Sequence, residues 1–148
     1  MSDKVSVKRA RILLVEDSEA DVRLTKEAIK ESKIDIGLDV VNDGVAATDF
    51  LRKSGKYKDA ARPDIIILDL NLPRKDGREV LADIKNDPDL KRIPVVVMTS
   101  SKSEEDIIKC YDNYANCYIT KPLDLGKFIE VVQAIEGFWF TIVEIPKK

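Results

Sequence analysis

Apolar runs alternate with amphipathic stretches from one end of this chain to the other. Residues 12–15 form a short apolar run and predict a first strand. Ser18 follows, with Asp21 three residues on, a capping-box-like start for a helix reaching about residue 31. A weaker strand pattern lies at 38–41. Asn42-Asp43-Gly44 makes a turn that can cap a second helix, about 45–53. The most apolar run is Ile65-Ile66-Ile67-Leu68, and it ends in Asp69. Lacking polar alternation, it reads as a strand covered on both faces, 65–69. A loop over 70–76 leads to a third helix, 77–86, closed by Asp87-Pro88. Residues 94–98 predict a fourth strand. Ser103 with Asp106 repeats the capping signature and opens a fourth helix, with Ile107, Tyr111 and Tyr114 on one face. A fifth strand is predicted at 117–120, and a last helix from 123 to about 140.

Five strand–helix units predict an α/β fold, a doubly wound five-stranded parallel sheet with helices on both faces. One domain over 9–140 accounts for most of the 148 residues, with a flexible N-terminus at 1–8 and a C-terminal tail at 141–148. Sheets of this kind gather ligands outside the C-terminal ends of their strands. Asp69 emerges from a buried strand at such an end. Its carboxylate needs a metal or a lysine there, because an uncompensated buried charge is costly.

Composition removes several function classes. The 25 basic and 27 acidic residues give a net charge of −2, so nucleic acid is not an expected partner. Hydrophobic residues at 44% and charged residues at 35% suit a soluble globular domain. No run approaches a membrane span, and residues 1–8 lack the apolar core of a signal peptide. The expected location is cytoplasmic, with no membrane partner. Cys110 and Cys117 are expected as small core residues in a reducing compartment. The chain has no histidine, which excludes Ser-His and Cys-His nucleophilic pairs, His-ligated metals and a phosphohistidine donor role.

The strand ends collect chemistry. Glu16 and Asp17 follow the first strand and Asp69 the third; Thr99-Ser100-Ser101 end the fourth and Thr120-Lys121-Pro122 the fifth. Asp17 and Asp69 can offer hard oxygen ligands to a divalent cation, with Glu16 holding a metal-bound water. A carboxylate beside Mg2+ can attack phosphorus, while the metal and Lys121 neutralise the transferring group. Thr99 offers a hydroxyl to a phosphoryl oxygen. Taken singly, each has a plainer reading: Asp17 and Glu19 as first-turn acids, Thr99 and Ser100 as strand-end hydroxyls, Lys121 as a solvated lysine. Four strand ends in register make chance a poor explanation.

Val15-Glu16-Asp17, Ile67-Leu68-Asp69-Leu70-Asn71-Leu72-Pro73, Asp76-Gly77, Met98-Thr99-Ser100 and Tyr118-Ile119-Thr120-Lys121-Pro122 resemble the motifs of a two-component response regulator receiver domain. The resemblance runs over residues 9–140 and includes the spacing of 30 from Asp69 to Thr99 (99 − 69). It implies the flavodoxin-like (βα)5 fold of CheY-like proteins. It also implies roles: Asp69 as phospho-acceptor, and Glu16, Asp17, Asp69 and the backbone carbonyl of Asn71 as the Mg2+ (or Mn2+) site. Lys121 would pair with the phosphoryl group, Thr99 and Tyr118 would be the switch, and Lys121-Pro122 the cis peptide. The donor would be a sensor histidine kinase, and catalysis would be limited to the protein's own phosphorylation and dephosphorylation. Leu70 to Leu81 and Leu90 to Val97, with Phe138-Trp139 and Pro146, are similar to phytochrome-associated single-domain response regulators, which implies a phytochrome-type kinase.

One departure from the family is the span of 52 between Asp17 and Asp69 (69 − 17), which places a lengthened loop at 53–62. The last helix carries apolar residues over an arc of roughly 200°, where a surface helix needs about 100°. Either its end folds back over the core with Ile142, Val143 and Ile145, or it forms a contact surface. The second reading predicts a homodimer through the fourth helix, fifth strand and fifth helix, using Tyr111, Tyr114, Phe138 and Trp139. Two rival functions remain. A haloacid-dehalogenase-like phosphatase would carry a second aspartate where Asn71 stands, and a binding-only scaffold would not need Glu16, Asp17, Asp69, Thr99 and Lys121 together.

Overall fold

The triple-isoleucine run lies at the centre of a sheet. In a computed structural model of the chain, residues 5–142 are described, with side chains over residues 9–137. Strand β3 (Ile65–Leu68) is buried at every position and pairs with β1 (Val5–Val15) on one side and β4 (Val95–Thr99) on the other. With β2 (Ile34–Val41) and β5 (Cys117–Thr120) at the edges, the sheet is fully parallel in the order β2-β1-β3-β4-β5. The helices are α1 (Glu19–Lys30), α2 (Gly44–Arg52), α3 (Gly77–Asn86), α4 (Glu104–Asp112) and α5 (Leu125–Ile142).

Alternate residues of the central strands point to opposite faces, and both faces are apolar. Leu13, Val15, Ile66, Leu68, Val95 and Val97 pack with Phe50 of α2, Leu81 and Ile84 of α3 and Cys110 of α4. Ile12, Leu14, Ile65, Ile67 and Met98 pack with Ala28 and Ile29 of α1 and with Phe128, Val132 and Ile135 of α5. Each large aliphatic side chain fully buried in these layers contributes about 1.5–3 kcal/mol. Helices therefore leave β1 and β3 on opposite sides of the sheet, and the crevice that doubly wound folds use for ligands opens between those two strand ends.

The caps explain where the helices begin. Ser18 Oγ accepts the Asp21 amide at 3.3 Å, Asp43 Oδ1 the Ala46 amide at 2.7 Å, and Ser103 Oγ the Asp106 amide at 3.2 Å. Some bounds differ from expectation. β1 starts at Val5 and β2 at Ile34, earlier than their apolar cores suggest, because the added residues mix polar and apolar positions. Tyr114 is not on α4: the helix stops at Asp112, and Tyr114 follows with a φ of 63°. The segment 53–62 has structure of its own. Gly55–Tyr57 is a 3-10 turn, and the Tyr57 ring packs on Phe50 with centroids 5.4 Å apart. Among the described residues, no helix is long and apolar enough to cross a membrane.

Candidate functional site

The backbone pins the carboxylates before any side chain acts. The Asp69 amide donates to the Val15 carbonyl at 3.1 Å, and the Glu16 amide to Val41 at 3.0 Å. Asn42 Nδ2 holds the Glu16 carbonyl at 2.9 Å. Glu16, Asp17 and Asp69 each place a carboxylate oxygen within 4.8 Å of the others. Glu16 and Asp69 are buried at 2% and 5% exposure, whereas Asp17 is exposed.

Lys121 reaches the same point from the end of β5. Its amide donates to the Thr99 carbonyl at 2.8 Å, and the Lys121–Pro122 peptide is cis. Its ammonium lies 2.9 Å from Glu16 Oε1, 2.7 Å from Asp21 Oδ2 and 3.3 Å from Asp69 Oδ2. Burial alone would lower the lysine's pKa, but the hydrogen bonds to Asp21 and Glu16 outweigh it and hold Lys121 above its usual range. Burial pushes Glu16 up to about 7; the Asp69 charge adds to this, and the Lys121 hydrogen bond opposes it. Buried Glu16 and Asp69 and the more exposed Asp21 thus share one ammonium, with the Asp17 carboxylate beside Glu16 and Asp69. That charge balance and an all-oxygen donor set suit a hard divalent cation.

Thr99 is fully buried at the end of β4. Its Oγ1 accepts from Asn71 Nδ2 at 3.3 Å and from the Ser101 amide at 3.4 Å. The Asn71 amide donates in turn to Asp69 Oδ1 at 3.1 Å. The Tyr118 hydroxyl donates to the Ser101 carbonyl at 2.9 Å, and burial raises its pKa. Glu16, Asp17, Asp69, Asn71, Ser100 and Lys121 line a single open cleft. The start of α3 presses on its floor: the Gly77 amide bonds the Leu70 carbonyl at 2.9 Å, directly beneath Asp69.

The structure therefore brings together Glu16, Asp17, Asp69, Asn71, Thr99 and Lys121, with Tyr118 linked through Ser101. Tyr111 and Tyr114 lie apart from them and are 49% and 76% exposed. Phe138 and Trp139 belong to α5, but their side chains lie outside the described residues, as do residues 143–148. Sequence reasoning missed two features. Asp21, taken as a cap residue, gives its carboxylate to Lys121, while the Ser18 amide turns instead to Glu16 Oε2 at 3.2 Å. Asp106, also taken as a cap residue, accepts a bidentate hydrogen bond from Arg78. Only its N-cap spacing marked Asp21, and nothing local pairs Arg78 with Asp106.

Comparison with known proteins gives a consistent picture. A family model described as the response regulator receiver domain matches residues 12–133. Response regulator Rcp1 of Synechocystis sp. is 53% identical over 146 residues, covering 99% of each chain. The crystal structure of the Mn2+-bound form of Rcp1 matches with a TM-score of 0.82 at 54% identity, covering 93% of this chain and 99% of that one. The crystal structure of the phosphorylated cyanobacterial phytochrome response regulator RcpA matches with a TM-score of 0.84 at 50% identity, covering 94% and 99%.

Proposed function

The chain belongs to the response regulator receiver domain family, and on that footing we propose that Asp69 accepts a phosphoryl group from a sensor histidine kinase. The observation that carries this is the setting of Asp69: buried, 3.3 Å from the Lys121 ammonium, and within 4.8 Å of Glu16 and Asp17. An Asp69 oxygen attacks phosphorus, a P–O bond forms, and the P–N bond to the kinase histidine breaks. Glu16, Asp17, Asp69 and the Asn71 carbonyl would hold Mg2+ or Mn2+, which when bound neutralises charge on the phosphoryl oxygens. Lys121 supplies the second positive charge. Thr99 then donates to a phosphoryl oxygen, Tyr118 follows, and the surface of α4, β5 and α5 changes for protein–protein signalling in a phosphorelay. The only turnover is the protein's own phosphorylation and dephosphorylation, and its place of action is the cytoplasm. The likeness to a phytochrome response regulator supports a phytochrome-type kinase as donor.

The same surface serves as a homodimer contact in this reading, through Tyr111, Tyr114, Phe138 and Trp139. The exposure of the two tyrosines supports it, as does an apolar hollow of about 540 Å³ between β5 and α5 lined by Ile119, Val131 and Ile135. A monomer at every concentration in sedimentation, phosphorylated or not, would remove the dimer. The acceptor role is tested by incubation with acetyl phosphate and Mg2+ and intact mass measurement. One phosphoryl group should add to the wild type and none to Asp69→Asn or to chelator-treated protein. Multiple turnover of a phosphate ester would instead favour a phosphatase, and no adduct from acetyl phosphate or a competent kinase would favour a scaffold.

A further inference from the structure

Lys121 meets one more carboxylate than a metal site requires. Its ammonium carries three N–H donors and reaches three acids: Asp21 at 2.7 Å, Glu16 at 2.9 Å and Asp69 at 3.3 Å. Glu16 and Asp69 belong, with Asp17, to the carboxylates close enough to hold one cation; Asp21 does not. The shortest of the three bonds therefore goes to the acid outside that group. Local structure sets Asp21 in place. Its amide donates to Ser18 Oγ at 3.3 Å, and its carbonyl accepts from the buried Thr25 hydroxyl at 2.8 Å, which fixes it in the first turn of α1. Among the described residues, its carboxylate hydrogen-bonds Lys121 alone. With its side chain 22% exposed it keeps contact with water, whereas buried Glu16 and Asp69 depend on Lys121 or a cation for charge balance.

We propose that Asp21 is a positioning residue that gives the Lys121 ammonium a partner outside the metal ligands, so that Glu16 and Asp69 can hold a divalent cation while the ammonium stays in the cleft. The inference rests on the metal site of the phospho-acceptor reading and adds to it a carboxylate that serves the lysine. Lys121 takes Glu16 Oε1 and Asp69 Oδ2. The other oxygens of these two acids are also engaged: Glu16 Oε2 accepts the Ser18 amide at 3.2 Å, and Asp69 Oδ1 accepts the Asn71 amide at 3.1 Å. A cation at Glu16 and Asp69 must therefore share their oxygens with the ammonium. Asp21 draws that ammonium toward α1 and eases the competition. Without it, the freed donor turns to Glu16 and Asp69 and holds both against the ion. The effect requires no movement of Thr99 or Tyr118.

The test is Mg2+ affinity of the full chain, measured by titration calorimetry without a phosphodonor, in wild type, Asp21→Asn, Asp21→Glu, Glu19→Gln, Lys121→Met and the Asp21→Asn/Lys121→Met pair. Asp21→Asn should weaken binding roughly tenfold, the scale of one hydrogen bond to a charged group. Asp21→Glu keeps the charge and should restore most of the affinity. Glu19→Gln removes a charge from the same helical turn and should bind like wild type. Lys121→Met removes the competitor and should bind more tightly, and Asp21→Asn should then have little further effect, because a residue that acts through another loses its effect when that other is gone. A purely structural role would lower thermal stability and leave the affinity unchanged. Unchanged affinity in Asp21→Asn, equal weakening in Glu19→Gln, or the same weakening with and without Lys121 would overturn the inference alone. The first two comparisons carry the test if Lys121→Met fails to fold. No Mg2+ binding by wild type would overturn the metal site itself and the inference with it.

Discussion

Replacing Gly77 by alanine tests how tightly the floor of the site is built. A Cβ at this position would lie 2.2 Å from the Asp69 carbonyl oxygen, 2.6 Å from Leu70 Cα and 2.8 Å from the Leu70 oxygen. Ordinary carbon–oxygen contact needs about 3.3 Å, so α3 and the end of β3 must separate by about 1 Å. All three neighbours are backbone, so none can rotate away. Both sides are also tied, Asp69 to Val15 at 3.1 Å and Gly77 to Leu70 at 2.9 Å. Overpacking typically costs about 1–3 kcal/mol, and two fixed backbones put this case at about 3 kcal/mol. In a domain of this size that lowers Tm by about 10 °C. A shift of about 1 Å in the reacting carboxylate also slows phosphorylation by about a hundredfold. Thermal unfolding followed by circular dichroism and single-turnover labelling from acetyl phosphate measure the two effects. Gly137→Ala is the control: its Cβ would meet nothing within 4 Å, and in a helix interior it should gain about 0.5–1 kcal/mol. A Gly77→Ala protein with unchanged Tm and normal labelling would refute the reasoning.

Three further outcomes follow from buried polar groups. Lys121→Met leaves Glu16 and Asp69 buried together without their ammonium and should cost about 3 kcal/mol in urea denaturation at neutral pH without Mg2+; a loss under about 1 kcal/mol would contradict the pairing. Burial lifts Glu16 from 4.5 to about 7, so between those values the folded state binds more protons than the unfolded state. Stability from this group is therefore highest at the acid end and falls as pH rises through the window, and in Mg2+-free buffer that fall should disappear in Glu16→Gln. Buried Glu136 of α5 accepts from Ser32 Oγ and the Lys33 amide, each at 2.7 Å, so Glu136→Ala should cost about 2 kcal/mol in the same urea assay, and a neutral effect would show that water replaces it.

The sequence announced its buried strands because a central parallel strand is apolar at every position, as 65–68 shows. It announced its helix starts because capping is local: Ser18, Asp43 and Ser103 act within three residues of themselves. Edge strands were harder. In β2, Ile34 and Ile36 are buried, but Asp35, which is exposed, and Gly37 break the apolar run, so residues 34–37 carried little signal although they belong to the strand. Tyr114 followed the helical face in sequence, yet it falls past the end of α4 in a left-handed turn. The cleft residues were legible as strand-end positions on a recognisable framework. Asp21 with Lys121 and Arg78 with Asp106 were not, because those pairs lie 100 and 28 positions apart and meet only through the crossovers of the fold.

The acceptor carboxylate itself can be located chemically. After acetyl phosphate treatment with Mg2+, borohydride reduces an aspartyl phosphate to homoserine, which peptide mass mapping places in the chain. Homoserine at position 69 alone is the expected result. Homoserine at Asp17 or another aspartate, or none in protein that carries one phosphoryl group, would contradict the account.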